Sequence, residues 1–210
     1  MAGILDFLGG DNLQQLVNGV SKQTGVSPSK ASSVIEMAGP LLMGAFQNNS
    51  SGENATGLLN ALQSNKHDGS LLDNIGNLFG NGASSEVTKD GAGILGHLLG
   101  NNQATITNAI STKTGVSTSN VSQILQTLAP VLMSFFGKKV SDNNISSTNG
   151  LGDLLSGFLG GNNKAGGLLT SFLDSNGDGS VLDDIAGMMG GKSDKKGGIG
   201  GLLGGLFGGK

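Results

Sequence analysis

The sequence lacks several residue types on which whole classes of function depend. It contains no cysteine, which excludes a disulfide framework, a thiolate nucleophile and a cysteine-ligated metal. Tryptophan, tyrosine and arginine are absent too, so all twelve basic residues are lysines. With a net charge of −3 the chain has no basic footprint. We therefore expect no nucleic-acid partner.

Charge and long apolar runs are scarce as well. Charged residues make up 13% of the chain, about half of the usual ~25%. No apolar run approaches the ~20 residues that a membrane-spanning helix needs. The first ten residues lack the basic and apolar regions of a signal peptide. We therefore expect a cytoplasmic protein. Glycine is in excess, since it supplies 39 of the 210 residues.

One helical unit occurs twice, at residues 12–46 and 102–136, with a constant offset of 90 and no gap. In each copy a short amphipathic segment leads to Thr-Gly-Val-Ser and then to a long stretch with apolar residues three and four positions apart. This spacing predicts two helices joined by a turn. If the copies share one fold, Val34 should superpose on Ile124 and Leu42 on Leu132, with all four buried.

The ends of these helices are marked by residues suited to capping. Gly25 and Gly115 should end the first helix of each pair, because glycine adopts the left-handed conformation without a Cβ clash. Ser27 and Ser117 are suited to cap the helices that follow.

A proline lies inside the apolar pattern of each second helix, at residues 40 and 130. Proline removes one backbone hydrogen bond from a regular helix. We expect a kink or a helix boundary at both positions, with packing geometry as its role rather than switching.

A second module is also duplicated, because Asp-Gly-Ser-x-Leu-Asp occurs at residues 68–73 and 178–183. The offset here is 110, which puts twenty extra residues into the second half, within 140–163. We expect short helices at 58–62, 71–79 and 151–159, separated by polar loops at 47–56 and 138–149. Strand patterns are nearly absent. The prediction is an all-α, internally duplicated bundle of short helices, with repeats at 1–90 and 91–190 and a glycine-rich tail at 191–210.

Together, the Thr-Gly-Val-Ser helix pair, the proline-containing helix and the Asp-Gly-Ser segment resemble a bacterial family known as domain of unknown function 937. The resemblance covers nearly the whole chain except the tail. It implies a YidB-like all-helical fold. It implies no activity and no catalytic residue.

An acidic loop at residues 174–184 resembles an EF-hand or dockerin calcium loop. Calcium prefers six to eight oxygen ligands, and such loops supply them from alternate positions of one tight turn. The candidate metal ligands are Asp174, Asn176, Asp178, Ser180, Asp183 and Asp184. The usual position-12 acid is replaced by Ile185, so the closing ligand stays open between Asp183 and Asp184. The alternative is a turn and helix cap without metal.

The first-half counterpart of this loop has lost the ligand pattern. Ser64, Lys66 and Asn74 stand where the second half has Asp174, Asn176 and Asp184. We expect this side to bind no calcium. The two histidines, at positions 67 and 97, are interpreted as structural because no sequence pattern pairs either with a nucleophile or an acid. We therefore expect no enzymatic activity.

In the tail, one helical stripe is formed by Ile199, Leu202, Leu203, Leu206 and Phe207, with glycine between them. The cover for this stripe could be the same molecule, another copy or a membrane surface. The alternative is a tail that is merely flexible. Two functional interpretations follow. The first is a structural, self-associating helical module that forms homo-oligomers. The second is a calcium-responsive binding module using the acidic loop, with calcium as the one cofactor considered.

Overall fold

The computed structural model describes residues 11–73 and 83–160. Eight α-helices lie in these ranges: α1 (Asp11–Thr24), α2 (Pro28–Asn49), α3 (Ala55–Leu62), α4 (Ser70–Asp73), α5 (Ser85–Leu99), α6 (Gln103–Thr114), α7 (Thr118–Asp142) and α8 (Thr148–Gly160). Single 3₁₀ turns at Gly52–Asn54 and Gly100–Asn102 precede α3 and α6. No strand occurs in the described ranges, and the all-α prediction is confirmed.

Helix α7 is the centre of the bundle. It contacts α5 most extensively, and also α1, α2, α3, α4 and α6. Every residue from 127 to 137 is buried. A helix that is buried on all sides must be surrounded by other elements rather than lie on the surface. The burial of this stretch on every side thus agrees with the central position of α7.

The core is continuous across both copies of the helical unit. Phe46 of α2 and Phe136 of α7 are both fully buried, and their ring centroids lie 5.0 Å apart. Phe158 of α8 packs edge-on against Phe136 at 5.7 Å. Such tilted aromatic pairs contribute about 0.5–1.5 kcal/mol beyond their buried area. The predicted burial of Val34, Leu42, Ile124 and Leu132 is confirmed, with 0% exposure for each.

The turns between α1 and α2 and between α6 and α7 are held by the same hydrogen bonds. Gly25 and Gly115 end their helices as predicted, with φ of 70° and 64°. The side-chain hydroxyl of Ser21 donates to Val26 O at 2.6 Å, and that of Ser111 makes the equivalent bond at 2.6 Å. The two hairpins therefore share their local geometry. Superposition of the complete halves stays a prediction.

The two predicted N-caps differ in detail. Ser117 Oγ accepts a hydrogen bond from the N–H of Asn120 at 3.3 Å, as predicted for a capping serine. Ser27 occupies the N-cap position before Pro28, but its side chain makes no capping bond. Its hydroxyl instead lies 3.3 Å from Ser29 Oγ, which satisfies it locally.

Both internal prolines lie within continuous helices, so the alternative of a helix boundary at residues 40 and 130 is wrong. Pro130 removes only one donor, the N–H that would bond to Gln126 O. Helix α5 approaches that carbonyl closely, because a Cβ built on Gly91 would overlap Gln126 O. The Cα hydrogen of Gly91 can therefore contact it as a weak donor. A kink within the continuous helices stays a prediction.

Several helix boundaries in the structure differ from the predicted ones. The polar stretches 47–56 and 138–149 are partly helical, because α2 extends to Asn49, α3 begins at Ala55 and α7 extends to Asp142. Val140, 1% exposed, anchors the last turn of α7 while its polar neighbours face solvent. The predicted helix at 71–79 is described only as far as Asp73. Helix α5 runs through residues 90 and 91, where we expected the halves to divide; that division stays a prediction.

Among the described helices, none combines the length and the apolar character that a membrane span requires.

Candidate functional site

The six predicted calcium ligands, Asp174, Asn176, Asp178, Ser180, Asp183 and Asp184, lie outside the described residues. Their first-half counterpart is described and forms a turn that leads into α4. Asp68 Oδ1 accepts a hydrogen bond from the N–H of Ser70 at 2.9 Å. The backbone and side-chain hydrogen bonds from Ser70 hold the pKa of Asp68 below its usual value of 3.8. In the first half, these shared residues therefore act as a turn and cap, which needs no metal.

The preceding residues, 63–69, are called here the His67 turn. This turn packs against α7 through backbone. A Cβ built on Gly137 would overlap His67 O and lie 2.7 Å from Leu62 O. A Cβ on Gly69 would lie 2.9 Å from Lys138 Cβ. Only glycine at these positions allows α7 and the turn to approach so closely.

The imidazole ring of His67 is buried inside the turn, with its side chain 7% exposed. Its Nδ1 atom lies 2.9 Å from Ala61 O at the end of α3. Its Nε2 atom lies 3.2 Å from Asp90 Oδ2 on α5. The side chain of His67 thus connects α3 with α5, and the backbone carbonyl of His67 packs against Gly137 of α7.

Ser64 completes a Ser-His-Asp group, because its hydroxyl lies 3.1 Å from His67 Nδ1. A catalytic serine would need to give its proton to the imidazole. Here the Ser64 hydroxyl donates to Ala61 O at 2.7 Å. His67 Nδ1 faces the same carbonyl, which can only accept, so Nδ1 carries a proton and cannot receive another. This group does not activate Ser64 as a nucleophile.

The other features in the described residues give little support for a ligand site. His97 lies exposed on α5. In the described ranges, no three His, Cys, Asp or Glu side chains lie close enough to hold a metal ion. An open pocket of about 420 Å³ lies between the start of α6 and the start of α7. Amide and hydroxyl side chains, including Gln103, Asn108 and Thr118, line it without a charged group.

The partnership between His67 and Asp90 was missed by sequence reasoning. The two residues are 23 positions apart, and no motif connects them. A weak signal exists in hindsight: His67 is absent from the second module, where Gly177 stands at the offset of 110. The first module therefore carries a contact that the duplicated pattern alone does not predict.

Comparison with known proteins identifies a family but gives no more specific relative. No curated protein matched the chain. No solved structure matched it. A family model described as bacterial protein of unknown function (DUF937) matches residues 6–139 and 146–210. The six residues between the two matched segments, 140–145, fall at the end of α7 and in the loop after it, within the stretch where we expect the second half to carry its extra residues. The chain belongs to the DUF937 family of bacterial proteins.

Proposed function

We propose that the protein is a non-enzymatic helical module that self-associates through its C-terminal apolar stripe. The observation that carries the proposal is the way α5 packs on α7. Ile94, Leu95, Leu98 and Leu99 are all buried, with exposures of 8%, 0%, 8% and 6%. A short glycine-rich segment with this spacing of apolar residues is therefore a docking element in this protein.

The same pattern recurs in the tail. Residues 93–100 read Gly-Ile-Leu-Gly-His-Leu-Leu-Gly, and residues 201–208 read Gly-Leu-Leu-Gly-Gly-Leu-Phe-Gly. Glycines and apolar residues occupy the same positions in both segments, except that Gly205 stands where the first segment has His97. Glycine costs about 1 kcal/mol per residue relative to alanine in a helix, so the tail segment needs a partner surface to cover its apolar side chains. Because α5 covers that surface of α7 in every copy of the chain, we infer that the partner surface is the same stripe of a second copy.

Light scattering of the full chain tests this proposal. A variant with Leu202, Leu203, Leu206 and Phe207 replaced by serine should have a lower average mass than the wild type. A matched control replaces Lys192, Lys195 and Lys196 by serine, which alters the polar part of the tail and leaves the stripe intact. It should keep the wild-type mass. A monomeric wild type would reject self-association, and liposome binding lost only in the stripe variant would assign the stripe to a membrane surface instead.

The second candidate is a calcium-responsive binding module. Asp68, Gly69 and Ser70 form a turn and cap by themselves, which accounts for Asp178, Gly179 and Ser180 without metal. The turn does not account for Asp174 and Asn176. Their counterparts differ, because Ser64 bonds to Ala61 O and Lys66 is exposed. Oxygen ligands present in the second half alone therefore support calcium binding there.

Thermal unfolding with millimolar calcium, together with calorimetry, tests this candidate. Binding to the folded chain should raise Tm by mass action, and Asp174→Ala and Asp178→Ala should each abolish the rise. Asp68→Ala is the matched control and should leave the calcium response unchanged. If calcium leaves the Tm of the wild type unchanged and calorimetry shows no heat of binding, the acidic loop is a turn and cap only. A response that survives both second-half substitutions would place the site elsewhere.

A further inference from the structure

We propose that residues 3–8 of this chain dock on one side of helix α2 in the way that helix α5 docks on helix α7. This side is called here the α2 face. It is formed by four residues that lie three and four positions apart and so share one side of the helix: Met37, Pro40, Leu41 and Gly44. The proposal does not rest on the proposed self-association, which uses the other end of the chain.

The α2 face is less covered than its counterpart in the second copy of the helical unit. The offset of 90 gives the equivalent residues of α7, which are all buried: Thr127, Pro130, Val131 and Ser134. The residues of the α2 face are only half-buried, although α2 contacts α1, α5, α6, α7 and α8. A Cβ built on Gly44 would meet nothing within 4 Å. The described helices therefore leave this side of α2 partly open.

Helix α5 packs on the equivalent side of α7. A Cβ built on Gly91 of α5 would overlap Gln126 O, the carbonyl that loses its helical donor at Pro130. Pro40 removes the helical donor of Glu36 O in the same way, so each copy has such a carbonyl beside the same side of the helix. The α2 face therefore resembles the surface on which α5 docks.

The segment that fits the α2 face is indicated by the sequence in front of each helical unit. Residues 93–98 of α5 read Gly-Ile-Leu-Gly-His-Leu, and residues 3–8 read Gly-Ile-Leu-Asp-Phe-Leu at the same offset of 90. Only the fourth and fifth positions differ. In α5 those two positions are exposed, whereas the isoleucine and both leucines are buried, with exposures of at most 8%. Residues 3–8 therefore keep every buried apolar side chain of the docked segment.

The connection to the following helix has its counterpart as well. Gly100 ends α5 with a φ of 51° and leads the chain into α6, and Gly10 takes this position before α1. Glycine is suited to such a left-handed conformation because it has no Cβ. Helix α1 packs on α2 as α6 packs on α7. The chain before α1 can therefore fold back over α2 as α5 folds back over α7.

Two differences define the contact more closely. Met1 stands where α5 has Gly91, so the close backbone approach made at Gln126 is not expected at Glu36. We therefore assign the contact to Ile4, Leu5 and Leu8. The tail segment at residues 201–208 has a similar pattern, but its offset from residues 93–100 is 108. It does not share the register that relates α2 to α7.

Methyl NMR of the wild-type chain tests the docking directly. The methyl groups of Leu41 should show nuclear Overhauser effects to those of Leu5 or Leu8, because packed side chains approach within about 4 Å. In a mixture of differently labelled chains, these effects should arise within one chain. Effects to the tail leucines instead, effects found only between two copies, or no effect to either segment would each overturn the proposal.

Chemical unfolding measures the same contact through stability. Leu5→Ser should raise the unfolding equilibrium constant roughly five- to tenfold, as expected for a leucine that is buried in part. Phe7→Ser is the matched control, because it removes a larger apolar side chain from the position of the exposed His97, and it should leave the constant unchanged. In a chain that already carries Leu41→Ser, the effect of Leu5→Ser should shrink by at least roughly twofold. An undiminished effect in that background, or a larger effect from Phe7→Ser than from Leu5→Ser, would contradict the docking.

Discussion

Replacing Gly91 by alanine should weaken the contact between α5 and α7 and lower the stability of the whole bundle. The new Cβ would overlap Gln126 O, and it would lie 2.6 Å from the carbonyl carbon of Gln126 and 3.0 Å from its Cα. These are backbone atoms of the central helix and cannot rotate away. The helices would have to separate by roughly 1 Å or more before ordinary contact distances return.

The magnitude combines two opposing effects. Overpacking a tight contact costs about 1–3 kcal/mol, and backbone against backbone argues for the upper end. Alanine in a helix gains about 1 kcal/mol over glycine. The net loss is therefore about 2 kcal/mol. For a chain of 210 residues this corresponds to a fall in Tm of roughly 4–8 °C.

Gly96→Ala is the matched control, because it makes the same chemical change in the same helix. A Cβ at this position would meet nothing within 4 Å. The helix-propensity term then acts alone and should raise Tm by roughly 2–4 °C. Thermal unfolding followed by circular dichroism measures both variants. If Gly91→Ala were as stable as the wild type or more stable, the close approach of α5 to α7 at Gln126 would be refuted.

Three further predictions use the same unfolding assay. Ser134→Ala should leave stability unchanged or raise it by up to about 1 kcal/mol, because Ser134 Oγ is fully buried and has no hydrogen-bond partner in the described part of the chain; a clear loss would show that the hydroxyl has one. Asp68→Ala should be less stable than the wild type at neutral pH, and the difference should shrink as pH falls below 3.8, since the lowered pKa of Asp68 stabilises the fold only while the carboxylate is ionised. Ser21→Ala and Ser111→Ala should each cost about 1 kcal/mol, because each removes an equivalent 2.6 Å hydrogen bond across its turn; strongly unequal losses would contradict the shared geometry of the hairpins.

The helical architecture was largely predictable from the sequence, because its signals are local. Gly25 and Gly115 end their helices through backbone conformation, and periodic apolar residues place Val34 and Ile124 in the core. At Pro130, local sequence signals did not predict that the helix continues. Its missing donor suggested a kink or a helix boundary, but the helix continues through it, and Gly91 of α5 packs against the carbonyl of Gln126.

The contact between His67 and Asp90 could not be predicted for a different reason. His67 and Asp90 meet only because Gly137 brings the His67 turn against α7 while α5 packs on the same helix. That meeting depends on three elements far apart in the chain. The role of His67 is therefore set by tertiary packing rather than by a motif. The repeat indicated that residues 68–70 form a turn, and the structure of the first half agrees.

Sedimentation of the full chain over a wide range of concentrations tests self-association most directly. The account predicts that the average mass rises with concentration above the 20.9 kDa of one chain, as expected when the stripe within residues 199–207 docks on a second copy. A single species of one chain mass at every concentration would contradict it.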